Sequence, residues 1–229
     1  MDPFLRTRWL IGNEALEMLK EKRVIVFGIG GVGGHCAEAL LRSGIGTVDI
    51  VDFDRVDVTN INRQLVATME TVGELKVDAL KNRLLSILPE SRVHAYPLRV
   101  SEDTIDRFDF ASYDYVIDAL DQVSAKLLLA QSAQEANTSF ISAMGAGNKL
   151  HPELLEMTML SKTSMCPLAK VMRRETKRRG IADYAVVYSK EAPHKEEGEG
   201  ERSPASISFV PPVSGLLIAS KVVRDLIGK

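Results

Sequence analysis

The chain has 229 residues, 45% of them hydrophobic and 26% charged, with a formal net charge of -2. That is the composition of an ordinary globular protein with ample chain for one core, and no global basicity forces a nucleic-acid partner. Two cysteines cannot build a disulfide framework or a four-cysteine zinc site, and a reducing cytoplasm fits that usage.

Met1-Asp2-Pro3-Phe4-Leu5-Arg6 lacks a basic segment followed by an apolar one, so no signal peptide is expected there. Residues 10–21 read as a leading helix, because Leu10, Ile11, Ala15, Leu16 and Leu19 recur near helical spacing. Arg23 to Phe27 is a short β-branched run that enters Gly28-Ile29-Gly30-Gly31-Val32-Gly33. A helical pattern then runs to Ser43-Gly44, and a second apolar run, Val48 to Val51, ends in Asp52-Phe53-Asp54. A helix from about Gly73 to Leu88 stops at Pro89. Val93 to Val100 alternates loosely as a strand, and Tyr115 to Ala119 reads as a buried strand closed by Leu120-Asp121. Helix 123–136 and strand 139–143 extend the alternation, which implies a parallel sheet covered on both faces.

Beyond Gly145-Ala146-Gly147 the pattern changes. Strands are expected at Leu154–Leu160, Tyr184–Tyr188 and Ile207–Val210, as antiparallel additions, with a very basic helix at 165–179. A mobile charged loop is expected at about 190–205. Pro211-Pro212 open the last helix. No run of about 18 apolar residues marks a membrane span: Val213 to Ile218 soon meets Lys221, Arg224 and Asp225.

The glycine loop carries the first chemical signal. Glycines allow a tight turn, close approach of backbone to phosphate, and helix–strand packing. The helix that starts there offers free N–H groups and a positive dipole end. Asp52, ending the next strand, can accept protons from ribose hydroxyls. NAD, FAD or ATP could bind in this way. Asn60, Arg63, Gln64 and Lys76 follow close behind. Arg and Lys near the phosphates suit a departing pyrophosphate better than a nicotinamide.

With these residues the chain resembles the ThiF/MoeB superfamily of ubiquitin-activating-enzyme-like adenylyltransferases. The matching positions are the 28–33 loop, Asp52-Phe53-Asp54, Asn60-Ile61-Asn62-Arg63-Gln64, Val72-Gly73 with Lys76, Asp118-Ala119-Leu120-Asp121, and Arg8 before Gly12-Asn13-Glu14-Ala15. The resemblance implies a Rossmann-like, doubly wound α/β fold whose sheet is mainly parallel. It implies one domain over residues 1–229, with a nucleotide-binding half at 1–148 and a substrate and dimer half at 149–229. It implies ATP as the nucleotide, held by Gly28, Gly30, Gly31, Gly33, Asp52, Asp54, Asn60, Arg63, Gln64 and Lys76. Within that set Asp52 would take the ribose, Gly30 and Gly31 the α-phosphate, and Asn60, Arg63 and Lys76 the triphosphate. Asp121 would hold Mg2+, and Arg8 would reach into the second subunit of a homodimer as an arginine finger. Arg8, Arg63, Lys76 and Asp121 are thus the expected catalytic set. A monovalent cation near the dimer is a further expectation, without assigned ligands.

Carrier-protein activators of this superfamily usually bear two Cys-x-x-Cys pairs, whereas only Cys36 and Cys166 occur here. The branch resembled most closely is tRNA threonylcarbamoyladenosine dehydratase. It is matched also by Ser161-Lys162-Thr163 and Pro167-Leu168-Ala169. That branch adenylates the threonyl carboxylate of the modified adenosine, which then cyclises with loss of AMP. Lys162, Lys170, Arg173, Arg174, Lys177, Arg178 and Arg179 face a single acid, Glu175, in their stretch. Such a stripe suits a tRNA backbone, or simply a solvated helix face. Cys166 is read as an incidental thiol and Cys36 as a packing residue. The competing readings are activation of a ubiquitin-like or sulfur-carrier protein, with a sulfur-relay partner, a nucleotide sensor without chemistry, and an NAD-dependent dehydrogenase.

Overall fold

The computed structural model describes residues 2–194 and 204–229. Five apolar runs form the parallel strands β1 (Arg23–Phe27), β2 (Thr47–Val51), β3 (Arg92–Tyr96), β4 (Tyr115–Asp118) and β5 (Ser139–Ala143). β6 (Leu155–Met159) and β7 (Ala185–Ser189) complete one seven-stranded sheet of order β3-β2-β1-β4-β5-β7-β6. β7 runs parallel to β5, and β6 is antiparallel to β7. Every residue of β2 and β4 is buried, because helices cover both faces of a parallel sheet.

On one face lie α2 (Asn13–Glu21), α3 (Gly33–Arg42), α4 (Lys76–Ile87) and α7 (Val210–Leu226). They pack Leu19, Leu40, Leu80 and Ile218 against Val24, Val48 and Ile117. The other face carries α5 (Val123–Glu135) and α6 (Pro167–Arg179), with Leu129 and Met172 among the buried side chains. Cys36 sits fully buried in the first core, where desolvation pushes its thiol far above the usual range.

The order β3-β2-β1-β4-β5 makes β1 and β4 neighbours that feed connections in opposite directions. In open α/β sheets such a switch point is where the carboxyl ends leave a crevice.

Two expectations are corrected. The leading helix is two helices, α1 (Leu5–Ile11) and α2, separated at Gly12, whose φ of +92° breaks the helical path. No strand forms at Ile207–Val210: residues 204–207 are irregular and Val210 already begins α7. Pro211 and Pro212 lack the N–H groups that a strand ladder requires, and proline is tolerated in a first helical turn. β3 likewise stops at Tyr96, before Pro97. The loop expected at about 190–205 falls largely on 195–203, outside the described residues.

A nucleotide cleft at the strand switch point

A cleft of about 470 Å³ opens at the carboxyl ends of β1, β2 and β4. That is within the size range of small-molecule sites. Its floor is the glycine loop. Gly28 has φ +81°, and an added Cβ there would lie 2.8 Å from the Ala119 carbonyl oxygen. Gly33 is tighter: a Cβ would sit 1.8 Å from the Gly28 carbonyl oxygen. The loop is thereby pressed against β4, and the first turn of α3 points into the cleft. Gly28, Gly30 and Gly31 line it, but Gly33 does not. Gly33 serves the packing of helix on strand, so its expected place among the ligand-facing residues is corrected.

Asp52 joins the two halves of the floor. Its Oδ2 accepts the Ile29 N–H at 2.9 Å and its Oδ1 accepts the Asp54 N–H at 2.9 Å. Burial raises its pKa above the ordinary carboxylate value, against the pull of those N–H groups and of Lys76. Each oxygen keeps a lone pair for a further donor.

The turn at 58–64 presents the polar groups. Asp57 caps it by accepting the Thr59 N–H at 2.8 Å, while Asn60 Oδ1 accepts the Asp57 N–H at 3.2 Å. The Asn60 amide nitrogen is left for the cleft. Arg63 Nη1 donates to the Thr59 carbonyl and to Asn62 Oδ1 at 2.9 and 2.8 Å, which orders the guanidinium, while the Arg63 stem packs near Gly31. Gln64 is buried, lines the cleft, and has an Oε1 without a protein partner. Lys76, at the start of α4, is buried along its stem and pairs with Asp54 at 2.8 Å. Asp54 and Lys76 therefore meet each other as well as the cleft. Asp121 is exposed on the opposite wall and accepts no hydrogen bond among the described residues.

Beneath that wall Asp118 and Lys126 form an ion pair at 2.9 Å, both fully buried. Asp118 also accepts the Leu120 N–H at 3.0 Å and the Ser142 hydroxyl at 2.6 Å. Lys126 donates to the Leu120 and Ala143 carbonyls at 2.9 and 2.7 Å. Asp118 thereby caps the turn after its strand, and Lys126 pins the loop that carries Asp121. Sequence reading gave Phe53 no role of its own and missed Lys126 and Arg99. The Arg99 guanidinium lies 5.2 Å from the Phe53 ring centre, and both line the cleft. Arg99 stands in the loop after β3, where only the folded order of strands brings it to the site.

Arg8 does not line the cleft of its own chain. Asp2 holds it at 3.0 Å and Asn13 Oδ1 accepts from it at 2.9 Å. Its neighbours Trp9 and Leu10 are 73% and 83% exposed. On α6, Lys170, Arg174, Lys177 and Arg178 face outward, and Lys162 precedes them. Arg173 does not: it donates to Thr163 O at 2.9 Å and also bonds the Thr163 hydroxyl. It staples the loop before α6, which removes it from the expected phosphate stripe. Arg174 and Arg178 share Glu175. Lys162, Lys170 and Lys177 make no ion pair among the described residues.

A glycine loop at a switch point, with a buried carboxylate and cations lining the same cleft, is the arrangement of a Rossmann-type nucleotide-binding fold. The match to the ThiF family covers residues 5–229, and the chain belongs to that family. It is 41% identical to the tRNA threonylcarbamoyladenosine dehydratase of Bacillus subtilis, over 98% of this chain and 94% of that protein. The Escherichia coli enzyme of that name is 37% identical, over 79% of this chain and 66% of its own length. The crystal structure of E. coli tRNA N6-threonylcarbamoyladenosine dehydratase, TcdA, in complex with ATP superimposes with a TM-score of 0.91 at 31% identity. That superposition covers 99% of this chain and 94% of the other. E. coli MccB shares the fold, with a TM-score of 0.69 at 19% identity.

Proposed function

We propose that this chain uses ATP to adenylate the threonyl carboxylate of tRNA threonylcarbamoyladenosine and so drives its cyclisation, a net dehydration. The observation that carries the reading is the similarity to the B. subtilis dehydratase along nearly the whole of both chains. The site chemistry is consistent with it. Asp52 accepts the ribose hydroxyls, and the loop N–H groups around Gly30 and Gly31 face the α-phosphate. The substrate carboxylate attacks the α-phosphorus, a new P–O bond forms, and the bond to the β-phosphate oxygen breaks. Arg63, Lys76 and Asn60 take up the charge that builds on the departing pyrophosphate. The ureido group of the substrate then attacks the acyl carbon, loses its proton, and expels AMP. No enzyme thiol is required, and Cys166 is buried.

Magnesium fits the donors present. It is ordinarily held by one or two carboxylates plus phosphate oxygens, and Asp121 offers a carboxylate on the cleft wall with no partner among the described residues. When bound it would neutralise phosphate charge. Arg8 is suited to act on the phosphates of a second copy. Its helix carries Trp9 and Leu10 exposed beside it, a patch a homodimer would cover. The outward cations of α6 suit the tRNA backbone, and a cytoplasmic setting follows from that substrate.

The test is incubation with ATP, magnesium and tRNA bearing threonylcarbamoyladenosine, followed by nucleoside mass analysis. An ATP-dependent loss of one water is expected. An unchanged nucleoside, with pyrophosphate exchange dependent on a carrier protein ending in Gly-Gly, would establish the carrier-protein reading instead. Arg8→Ala is expected to be inactive, and mixing it with Lys76→Ala should restore part of the activity by pairing one intact site.

A further inference from the structure

Leu120 is held at both of its backbone groups by one buried ion pair. Its N–H donates to Asp118 Oδ1 at 3.0 Å, and its carbonyl accepts from Lys126 Nζ at 2.9 Å. That carbonyl shares a peptide plane with the Asp121 N–H, so fixing it fixes the plane from which Asp121 departs. Packing confines the same turn from the other side. A Cβ on Gly28 would lie 2.8 Å from the Ala119 carbonyl oxygen and 2.9 Å from Leu120 Cδ2, so the turn already rests against the glycine loop.

The Asp121 carboxylate has no such support of its own. It is exposed on the cleft wall and accepts no hydrogen bond among the described residues. Its direction comes from the backbone behind it.

The ion pair itself is closed to ligands. The three N–H groups of the Lys126 ammonium meet Asp118 Oδ2, the Leu120 carbonyl and the Ala143 carbonyl at 2.9, 2.9 and 2.7 Å. Asp118 Oδ2 also accepts the Ser142 hydroxyl at 2.6 Å. Both side chains are fully buried and neither lines the cleft, so Asp118 is no candidate to hold a cation there. A buried ion pair adds little net stability over apolar residues of the same volume. What this one adds is direction. Its tie to Ala143, at the end of β5, also sets the turn against the neighbouring loop, whose Ala146 and Gly147 line the same cleft.

We propose that Lys126 is a positioning residue for the magnesium site: through the Leu120 carbonyl it aims the Asp121 carboxylate at the phosphate-bound ion. The inference rests on the magnesium assignment made above and extends it from the ligand to the buried charge that directs the ligand. Without that charge the carboxylate must be ordered by the ion itself, and the ordering is subtracted from affinity.

The experiment is calorimetry of α,β-methylene ATP binding to each full chain, once with Mn2+ as the probe ion and once with a chelator. The ratio of the two affinities is the metal-dependent gain. Lys126→Met, Asp121→Asn, the two combined, and Asp118→Asn/Lys126→Met are compared with the wild type well below their melting temperatures. Lys126→Met is expected to lower the gain by about tenfold or more, with the metal-free affinity near wild type. Combined with Asp121→Asn it should lower the gain no further than Asp121→Asn alone. Asp118→Asn/Lys126→Met carries no buried charge and recovers melting temperature, yet it still lacks the donor to Leu120, so its gain should stay as low as that of Lys126→Met. A wild-type gain in Lys126→Met, additive losses in the combined variant, or a gain that recovers together with the melting temperature overturns the role of Lys126. No gain in the wild type, or a gain that Asp121→Asn keeps, overturns the magnesium assignment and this inference with it. The acceptor is decided separately, by the nucleoside mass.

Discussion

Replacing Lys126 with Met removes one partner of a fully buried ion pair and keeps most of the side-chain volume. The ammonium of Lys126 meets three acceptors: Asp118 Oδ2 at 2.9 Å, the Leu120 carbonyl at 2.9 Å and the Ala143 carbonyl at 2.7 Å. Both side chains are 0% exposed, so no water replaces what is lost. Asp118 would keep the Leu120 N–H and the Ser142 hydroxyl, but its charge would stand uncompensated. Breaking a buried pair from one side costs about 3–5 kcal/mol. In a chain of this size each kcal/mol moves the midpoint by roughly 2–4 °C, so a fall of about 6–20 °C is expected. Circular dichroism melts and urea titration measure it. The double variant Asp118→Asn/Lys126→Met removes both charges and should recover more than half of the loss, giving a coupling energy between the two sites. A single variant that loses less than about 1 kcal/mol, or a double variant no more stable than the single one, would refute the assignment of this pair as the pin of the β4–α5 loop.

Three further outcomes follow from the site. Gly33→Ala places a Cβ 1.8 Å from the Gly28 carbonyl, whereas Gly30→Ala meets nothing nearer than 3.7 Å. The first is expected to destabilise by more than about 4 kcal/mol, and the second to fold normally but bind ATP at least tenfold more weakly. Melting curves and calorimetry distinguish the two. Asp52 has a raised folded-state pKa, so the native state holds its proton more tightly than the unfolded chain does. Its charge costs stability above that pKa, and the cost disappears as pH falls through it. ATP affinity should fall as pH drops through that raised pKa, and calorimetry on Asp52→Asn should show that pH dependence flattened. Lys170→Ala and Lys177→Ala should each reduce the slope of log affinity for tRNA against log salt by roughly 0.7–0.9. Arg173→Ala should instead lower the melting temperature, because its guanidinium holds the Thr163 loop.

The fold was legible wherever the pattern was local. Apolar runs bounded by turn residues located β1, β2, β4 and β5, and β5 fell on residues 139–143 as read. Gly12 was harder, since a helix-permissive period runs across it and only its positive φ splits the segment. The segment 207–210 was misread because β-favouring Ile207, Phe209 and Val210 precede two prolines that commit the chain to a helix start. Site residues carried by a contiguous motif, from Asp52 to Lys76, converge on one cleft. Lys126 and Arg99 were invisible because their meaning comes from sheet order: one reaches back to β4 and β5 beneath the floor, and the other arrives from beyond β3. The stripe on α6 looked uniform in sequence. Side-chain partners divide it into outward cations and one internal staple.

The two N–H groups already resting on Asp52 have a consequence for nucleotide selection. A carboxylate free to swing would have to be immobilised by each incoming ligand, and that entropy would be subtracted from affinity. Here the turns after β1 and β2 immobilise it during folding, with one lone pair on each oxygen left facing outward. On the proposed assignment of Asp52 to the ribose, the sugar would meet a preorganised receptor with an acceptor on each oxygen. A 2′-deoxy nucleotide would then leave one acceptor unpaired in a buried place and is expected to bind more weakly than ATP.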